Sequence, residues 1–221
     1  MNPAIAGFFV LKVYFRKRMS YIIPPYLKPG DTIAIAAPAR SVSMEQIQDG
    51  IAFMQAQGYT VHLEPGLLEV HHQLAGTDVH RAMLFNRLLA NPDIKAIWCA
   101  RGGYGAIRII DQLNWDKLKH TPKWIIGFSD MTVFHSHLTQ HLKIASIHSK
   151  MCNSFPDDWA KADDVQKESI ESIKKCLVGE KMKYTITPNA KNKTGIAYGE
   201  LVGGNLKTIE SLSGSKSDID T

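Results

Sequence analysis

Short apolar runs alternate with amphipathic segments over residues 26–150. Apolar runs rich in β-branched side chains predict buried strands. These runs cover Thr32 to Ala36, 59–65, Ile94 to Ala100, 123–128 and 143–149. Apolar residues at helical spacing predict the helices between them, which begin at Ser43, at Thr77 or Asp78, at Ala106 and near Asp130. Because strands and helices alternate, the chain is predicted to be α/β, with a mainly parallel sheet and helices on both faces.

The first helix carries the clearest end signals. Ser43 is followed three residues later by Gln46, which is the pattern of a capping box. Gly58 lies where a glycine commonly ends a helix. The sequence therefore predicts one complete helix between Ser43 and Gly58.

The pattern changes after about residue 150. A turn-rich loop leads to an amphipathic helix over Val165 to Leu177, an isolated strand is predicted in 183–188, and a glycine-rich turn then feeds a helix. Residues 195–221 are too few to bury a core of their own, so a second domain, α/β or β-rich, is expected to be cut off here. The predicted parts are an extension or mis-assigned start (1–18), an N-terminal α/β domain (19–150), a linker region with one helix (151–194) and the start of a C-terminal domain (195–221).

Charge and cysteine content narrow the class of protein. The net charge is +5, but residues 1–18 hold four basic and no acidic residues, which leaves 22 basic and 21 acidic residues in the body. The body of the sequence therefore shows no basic stripe of the kind that indicates a nucleic-acid-binding surface. The apolar run of 1–18 precedes its basic cluster, the reverse of a secretory signal, and is too short to span a bilayer; a membrane-surface anchor is the alternative to a disordered extension. The three cysteines form no CxxC pair, so neither disulfides nor a zinc site are expected, and a cytoplasmic protein is predicted.

Ser129 follows the apolar run that ends at Gly127, at the start of a predicted helix. One interpretation is a helix N-cap, because a serine oxygen accepts an orphan amide hydrogen bond. The other is a nucleophile at the carboxyl edge of a parallel sheet, where the helix end and the Asp130 amide would stabilise an oxyanion. The G-x-S-x-G pattern is matched only in part, since Met131 takes the second glycine position.

The segment RGGYG, Arg101 to Gly105, comes directly after a predicted strand. Paired glycines let a backbone approach a ligand closely and expose its amide groups. Three interpretations stay open: a phosphate cradle, an oxyanion donor that faces Ser129, and a tight strand-to-helix turn.

Histidines follow Ser129 on the same predicted helix. His135, His137 and His141 all lie on this helix, and His137 and His141 are spaced as metal ligands can be. No third ligand and no HExxH glutamate accompany them, so a solvated helix face is favoured and no metal is predicted. His148 lies at a predicted strand end. It would either orient or bind a substrate, or have a purely structural role.

Four segments occur together in one order: LKPGDTIAIAAPAR, GTDVHRAMLFNRLLANPDIKAIWCARGGYGAIRIID, PKWIIGFSDMTVFH and GELVGGNL. In this combination the chain resembles the LD-carboxypeptidases, or muramoyltetrapeptide carboxypeptidases, a serine-peptidase family that includes the microcin-immunity peptidases. The resemblance extends from Tyr26 to the end. Its RGGYG segment is more similar to the peptidoglycan-recycling branch.

The resemblance implies a cytoplasmic serine carboxypeptidase without metal or cofactor. It would remove the terminal D-alanine from murein tetrapeptides and form a homodimer at full length. Ser129 falls on the nucleophile, and the amides of Asp130 and Gly103 fall on the oxyanion hole. The implied substrate-binding candidates are Arg101, Gly102, Tyr104 and His148.

Departures from the family pattern limit this expectation. The family's triad glutamate and histidine come from the C-terminal domain and are expected beyond residue 221, so the 221 residues alone are expected to be inactive. Glu200 and Glu210 precede the expected glutamate position, and His148-Ser149-Lys150 differs from the family's usual His-Gly-Pro. The alternatives are a microcin-immunity-type peptidase acting on acyl-adenylate-like compounds and a non-catalytic anion- or ligand-binding module.

Overall fold

A computed structural model of the protein describes residues 21–156, 159–185 and 187–219. Five parallel strands form one sheet in the order β2-β1-β3-β4-β5. The strands are β1 (Thr32–Ala36), β2 (Thr60–Leu63), β3 (Ile94–Cys99), β4 (Trp124–Gly127) and β5 (Ile147–His148). The predicted α/β fold is confirmed, although β5 is much shorter than the predicted strand over 143–149.

Seven α-helices accompany the sheet in the described residues. They are α1 (Met44–Ala56), α2 (Asp78–Ala90), α3 (Ala106–Ile109), α4 (Lys117–His120), α5 (Thr132–His137), α6 (Asp164–Leu177) and α7 (Leu206–Ser211). The predicted capping box of α1 is confirmed, because Ser43 and Gln46 exchange side-chain-to-backbone hydrogen bonds. A 3₁₀ turn, Ser129–Met131, leads into α5, which continues as a π-helical turn over Leu138–Leu142.

Alternate residues of the strands build two separate cores, one on each face of the sheet. On one face the strands pack against α2, α3 and α5, through residues that include Ala34, Ile97, Cys99, Phe85, Ile109 and Phe134. On the other face they pack against α1 and α6, through residues that include Ile35, Trp98, Ile126, Met54, Ile173 and Leu177. Helices therefore cover both faces, as a parallel sheet requires.

The chain beyond β5 returns to the sheet. The predicted helix over Val165 to Leu177 is confirmed as α6, and the Leu177 carbonyl accepts a hydrogen bond from the Leu27 amide at 2.8 Å. The isolated strand predicted in 183–188 is wrong for the described residues of that range, which form no strand. The described residues of this segment are exposed and pair with no neighbouring strand, so no ladder hydrogen bonds hold them extended.

The predicted extension, residues 1–18, lies outside the described residues. In the part of the chain that the structure describes, no helix is both long and apolar enough to cross a membrane. The three cysteines are free, and two of them, Cys99 and Cys152, are buried.

We expect α6 to contribute to the stability of the whole sheet. Ile173 is fully buried against the second face, so Ile173→Ala should lower the free energy of unfolding by about 2–4 kcal/mol through lost packing and a residual cavity. Val165 lies on the same helix with 73% of its surface exposed. Val165→Ala is therefore the matched control and should change stability by less than about 0.5 kcal/mol. Equal effects of the two changes in urea unfolding would contradict the packing of α6 against the sheet.

Candidate active site

Ser129 lies in a left-handed turn directly after β4. Its φ angle is +58°, an uncommon value for a residue with a side chain. The residue before it, Phe128, occupies the N-cap position, and no side-chain cap bond is formed. The N-cap interpretation of Ser129 is therefore wrong. Its hydroxyl has no hydrogen-bond partner among the described residues, and the residue as a whole is half-buried.

Gly127 allows this turn to pack closely on the sheet. A Cβ atom at Gly127 would lie 2.7 Å from Met131 Cγ and 3.3 Å from Cys99 Cβ, so a side chain would force the turn away from β3. The Gly127 carbonyl accepts two hydrogen bonds, from His135 Nε2 at 2.9 Å and from the Ser149 amide at 3.1 Å. The residue two positions before Ser129 is thus held from both sides.

His135 is buried on α5. A carbonyl oxygen only accepts, so Nε2 must carry the proton that is donated to Gly127. Nδ1 then accepts from the Ser146 hydroxyl at 2.8 Å. Burial lowers the pKa of His135 to about 4, and the neutral tautomer is the one that fits both bonds.

The other two histidines of this segment also bond to the chain. His137 is half-buried, packs on the Trp115 ring and lies 3.0 Å from the Ser217 hydroxyl through Nδ1. Burial, followed by the neighbouring His141, lowers the pKa of His137 to about 4. His141 is exposed and bonds to the Lys216 carbonyl. Within the described residues no three His, Cys, Asp or Glu side chains are grouped to hold a metal ion.

The RGGYG loop meets the Ser129 turn at Gly102. An ideal Cβ on Gly102 would lie 3.6 Å from the Asp130 amide nitrogen and 3.0 Å from Met151 Cε. Gly103, which follows, has a φ of +110° and an ideal Cβ position 2.6 Å from Arg40 Cδ. The predicted neighbourhood of the Asp130 amide and the RGGYG loop is therefore present in the fold.

The Asp130 side chain links the same two loops. Its Oδ2 accepts a hydrogen bond from the Ala106 amide at 2.9 Å, at the start of α3. Gly105 occupies the N-cap position of α3 and offers no side-chain cap of its own. Burial raises the pKa of Asp130, while the Ala106 bond and the charge of Arg81 oppose that rise. Asp130 thus caps α3 from a neighbouring turn.

The remaining predicted site residues lie around this edge of the sheet. Arg101 is half-buried and donates from Nη1 to the Ser41 carbonyl at 3.2 Å. Tyr104 is 51% exposed. His148 pairs in register with Gly127 at the end of β5 and is exposed, with its ring centroid 5.7 Å from that of His135.

A cavity of about 460 Å³ opens beside His148. Its apolar wall comes from residues between 182 and 219. The other wall is polar and contains Ser136, Thr139, Ser146, His148, Ser149 and Ser172. The Ser136 hydroxyl is buried and has no hydrogen-bond partner in the part of the chain described.

Two residues near the site were missed in the sequence. Arg81 is buried at the start of α2. It lies three, four and seven residues before Leu84, Phe85 and Leu88, which places it on the apolar face of the helix. That spacing is the sequence signal from which its burial could have been predicted. Thr132 accepts a hydrogen bond from the Asn205 amide at 2.9 Å and thereby holds the GGNL segment against α5. No local pattern indicates that contact.

We expect acid to destabilise the fold through His135. Its pKa is about 4 in the folded state against an ordinary value of 6.5, so the unfolded chain binds the extra proton between these values. The free energy of unfolding should fall as the pH drops from 6.5 to 4, with a contribution from this group on the order of 3 kcal/mol. His135→Gln, which cannot titrate, should flatten this dependence in urea unfolding at several pH values. The exposed His120 supplies the control, His120→Gln, and an unchanged slope in His135→Gln would refute the assignment.

Comparisons with known proteins agree with this arrangement. A sequence profile of the LD-carboxypeptidase N-terminal domain matches residues 33–149. The chain is 31% identical to a probable murein peptide carboxypeptidase of Bacillus subtilis (strain 168) over 90% of this chain and 61% of that protein. It is 28% identical to the murein tetrapeptide carboxypeptidase of Pseudomonas aeruginosa over 83% of this chain and 60% of that protein. The chain thus spans about three fifths of the length of these relatives.

Solved structures show the same fold. The muramoyltetrapeptide carboxypeptidase from Oxalobacter formigenes superposes with a TM-score of 0.73 at 25% identity, over 86% of this chain and 62% of that chain. The microcin C7 self immunity protein MccF gives a TM-score of 0.74 at 22% identity, over 90% of this chain and 68% of that chain. The profile match includes β3, the RGGYG loop, β4 and the Ser129 turn. The chain therefore belongs to the LD-carboxypeptidase family.

Proposed function

We propose that the protein carrying this chain is a serine-type LD-carboxypeptidase that removes the terminal D-alanine from murein tetrapeptides. The observation that carries the proposal is the left-handed Ser129 turn, with the Asp130 amide beside Gly102 at the carboxyl edge of the sheet. The names of the B. subtilis and P. aeruginosa relatives support murein peptides as the substrate class.

In the proposed reaction Ser129 Oγ attacks the carbonyl carbon that precedes D-alanine. The amides of Asp130 and Gly103 donate to the oxyanion, D-alanine leaves with its amine protonated, and water then hydrolyses the acyl-enzyme to release the tripeptide. A base must take the Ser129 proton and pass it to the leaving amine. We assign that base to the second domain of the family, since no described residue is bonded to the Ser129 hydroxyl.

The surroundings of Ser129 suit a peptide with free carboxylates. Arg101 has no carboxylate partner among the described residues, so its positive charge is available to an acidic substrate group. His148 and Gly102 flank the same edge, and Tyr104 offers an exposed ring. The cavity beside His148 is proposed to accept part of the peptide, whose amides would pair with its hydroxyl-rich wall.

The cellular setting is proposed on the same basis. Free, mostly buried cysteines suit a reducing cytoplasm. The near-balanced charge of residues 19–221 gives little net attraction to nucleic acid. We further propose that the full-length protein acts as a homodimer, away from the membrane and without a metal or cofactor.

A microcin-immunity-type activity is the second candidate. The chain is 33% identical to the Microcin C7 self-immunity protein MccF of Escherichia coli over 109 residues, or 48% of this chain. Competition between a murein tetrapeptide and an acyl-adenylate-like compound separates the two functions, because specificity is the ratio of kcat/KM values. A ratio in favour of the adenylate would replace the murein assignment.

We expect Ser129→Ala to abolish release of D-alanine in the polypeptide that carries this sequence. Loss of a nucleophile costs about 10³-fold or more in kcat, while tetrapeptide affinity measured by calorimetry should be nearly unchanged. Ser213→Ala, at an exposed serine, is the control. If the tetrapeptide binds but neither wild type nor variant turns it over, the protein is a ligand-binding module. Turnover above a tenth of wild type in Ser129→Ala would exclude Ser129 as the nucleophile.

The 221 residues made by themselves are expected to release no D-alanine above the uncatalysed background. A serine hydroxyl without a hydrogen-bonded base is a poor nucleophile at neutral pH. Chromatographic detection of the tripeptide product checks this, with Ser129→Ala as the blank. Ser129-dependent product formation would show that the base lies within these residues.

A further inference from the structure

The two ends of one peptide unit, Gly105–Ala106, are each held by a buried ionisable side chain. Arg81 donates from Nη1 to the Gly105 carbonyl at 3.0 Å, and Asp130 Oδ2 accepts from the Ala106 amide at 2.9 Å. Arg81 is 2% exposed and Asp130 is 7% exposed. The peptide unit joins the RGGYG loop to α3, and Asp130 belongs to the Ser129 turn, so the two bonds connect the two loops that meet at the site.

We propose that Arg81 is a positioning residue of the oxyanion hole: through the Gly105–Ala106 peptide it fixes the RGGYG amides relative to the Asp130 amide. This inference rests on the proposed function of the Ser129 site. Arg81 itself contacts the loop backbone, and its effect on the reaction passes through that backbone.

The guanidinium of Arg81 ties the loop to two further elements. It donates to the Pro38 carbonyl in the loop after β1, and it pairs with Asp78 at the start of α2. The planar fork of an arginine can serve several acceptors at fixed angles, whereas a lysine ammonium is a single point. Nη1 serves the carbonyls of both loops while Nη2 pairs with Asp78 on α2, an arrangement over two nitrogens that the single nitrogen of a lysine does not reproduce.

Close packing makes this anchor stiff. Gly105 has a φ of +146°, and a Cβ there would lie 2.7 Å from Arg81 Nη1 and 3.0 Å from Ala39 Cα. The glycine lets the loop backbone rest directly on the guanidinium. Small displacements of a catalytic group are costly for rate, so a loop held at van der Waals distance is suited to presenting oxyanion donors.

Charge and burial favour a specific role over generic packing. Arg81 Nε is buried with no hydrogen-bond partner in the described part of the chain, and an orphaned buried donor lowers stability. Asp78 pairs with both Arg81 and Arg108, so its carboxylate neutralises only one of their two positive charges. The positive charge of Arg81 also opposes the rise in the pKa of Asp130 that burial causes. An apolar side chain would avoid the orphaned donor but would leave the Gly105 carbonyl unheld.

The first test compares Arg81→Lys with Arg108→Lys in the polypeptide that carries this sequence, with a murein tetrapeptide as substrate. Arg108 pairs with the same Asp78 but is 46% exposed at its side chain, and within the described residues its guanidinium bonds go to Asp78 and not to a loop carbonyl after β1 or β3. Oxyanion stabilisation acts in the transition state, so Arg81→Lys should lower kcat by about 10-fold to 100-fold with KM changed less than about 3-fold. Arg108→Lys should keep kcat within about twofold. Equal kcat values for the two variants would overturn the proposal.

A second readout does not depend on turnover. Amide hydrogen exchange at Ala106, whose amide donates to Asp130 Oδ2, should be at least about tenfold faster in folded Arg81→Lys and unchanged in Arg108→Lys. Unchanged exchange in Arg81→Lys would overturn the positioning role. Absence of hydrolysis by the wild type would count against the proposed function alone, and the exchange result would still decide the role of Arg81. If Arg81→Lys does not fold, Gly105→Ala disturbs the same contact from the loop side and carries the same two expectations.

Discussion

The parallel pairing of β1, β3 and β4 is the constraint on which the site depends. Because all three strands run in one direction, their carboxyl ends lie at one edge of the sheet. Neighbouring strands are about 4.8 Å apart, so the loops that follow the adjacent strands β3 and β4 lie side by side. The bond between the Asp130 carboxylate and the Ala106 amide then joins these loops directly. The position of the proposed catalytic groups therefore depends on the backbone pairing of strands in the apolar interior.

A strained residue at this edge needs support from its surroundings. A non-glycine residue held in a sparsely populated backbone region costs on the order of 1–3 kcal/mol, and Ser129 has such a conformation. Below it, His135 and the Ser149 amide both hold the Gly127 carbonyl, and Met131 is fully buried. The turn is thus fixed by contacts on both sides, while the Ser129 hydroxyl stays free of bonds to the described residues.

The segment that follows the sheet contributes to the same region. The Asn205 amide bonds to Thr132, three residues after Ser129, and a Cβ at Gly204 would lie 2.5 Å from the Thr132 side chain. Leu212 is buried against the α5 side of the sheet, whereas Leu201 and Val202, which line the cavity, are 85% and 48% exposed. One part of this segment is therefore anchored beside the proposed nucleophile, and another presents apolar side chains at the rim of the cavity.

Sequence alone determined much of the scaffold. Apolar runs and helical spacing gave the strands of the sheet, the capped helix α1 and the helix α6, because these depend on local periodicity and on end signals. The order of short motifs was enough to assign the family and to single out Ser129 and RGGYG. The burial of Arg81 and His135 was also readable in their helical spacing, since both lie in line with apolar neighbours on their helices.

Tertiary structure decided the contacts between distant residues. The bond from Asp130 to Ala106, the bond from Arg81 to Gly105 and the docking of Asn205 on Thr132 join residues 24 to 73 positions apart. The strand predicted in 183–188 failed for the related reason that a strand needs a partner, which its own sequence cannot supply. Periodicity reports which side of an element is apolar, but the order in which the strands pair decides which loops meet. That order depends on contacts across the whole sheet and cannot be read from any one segment.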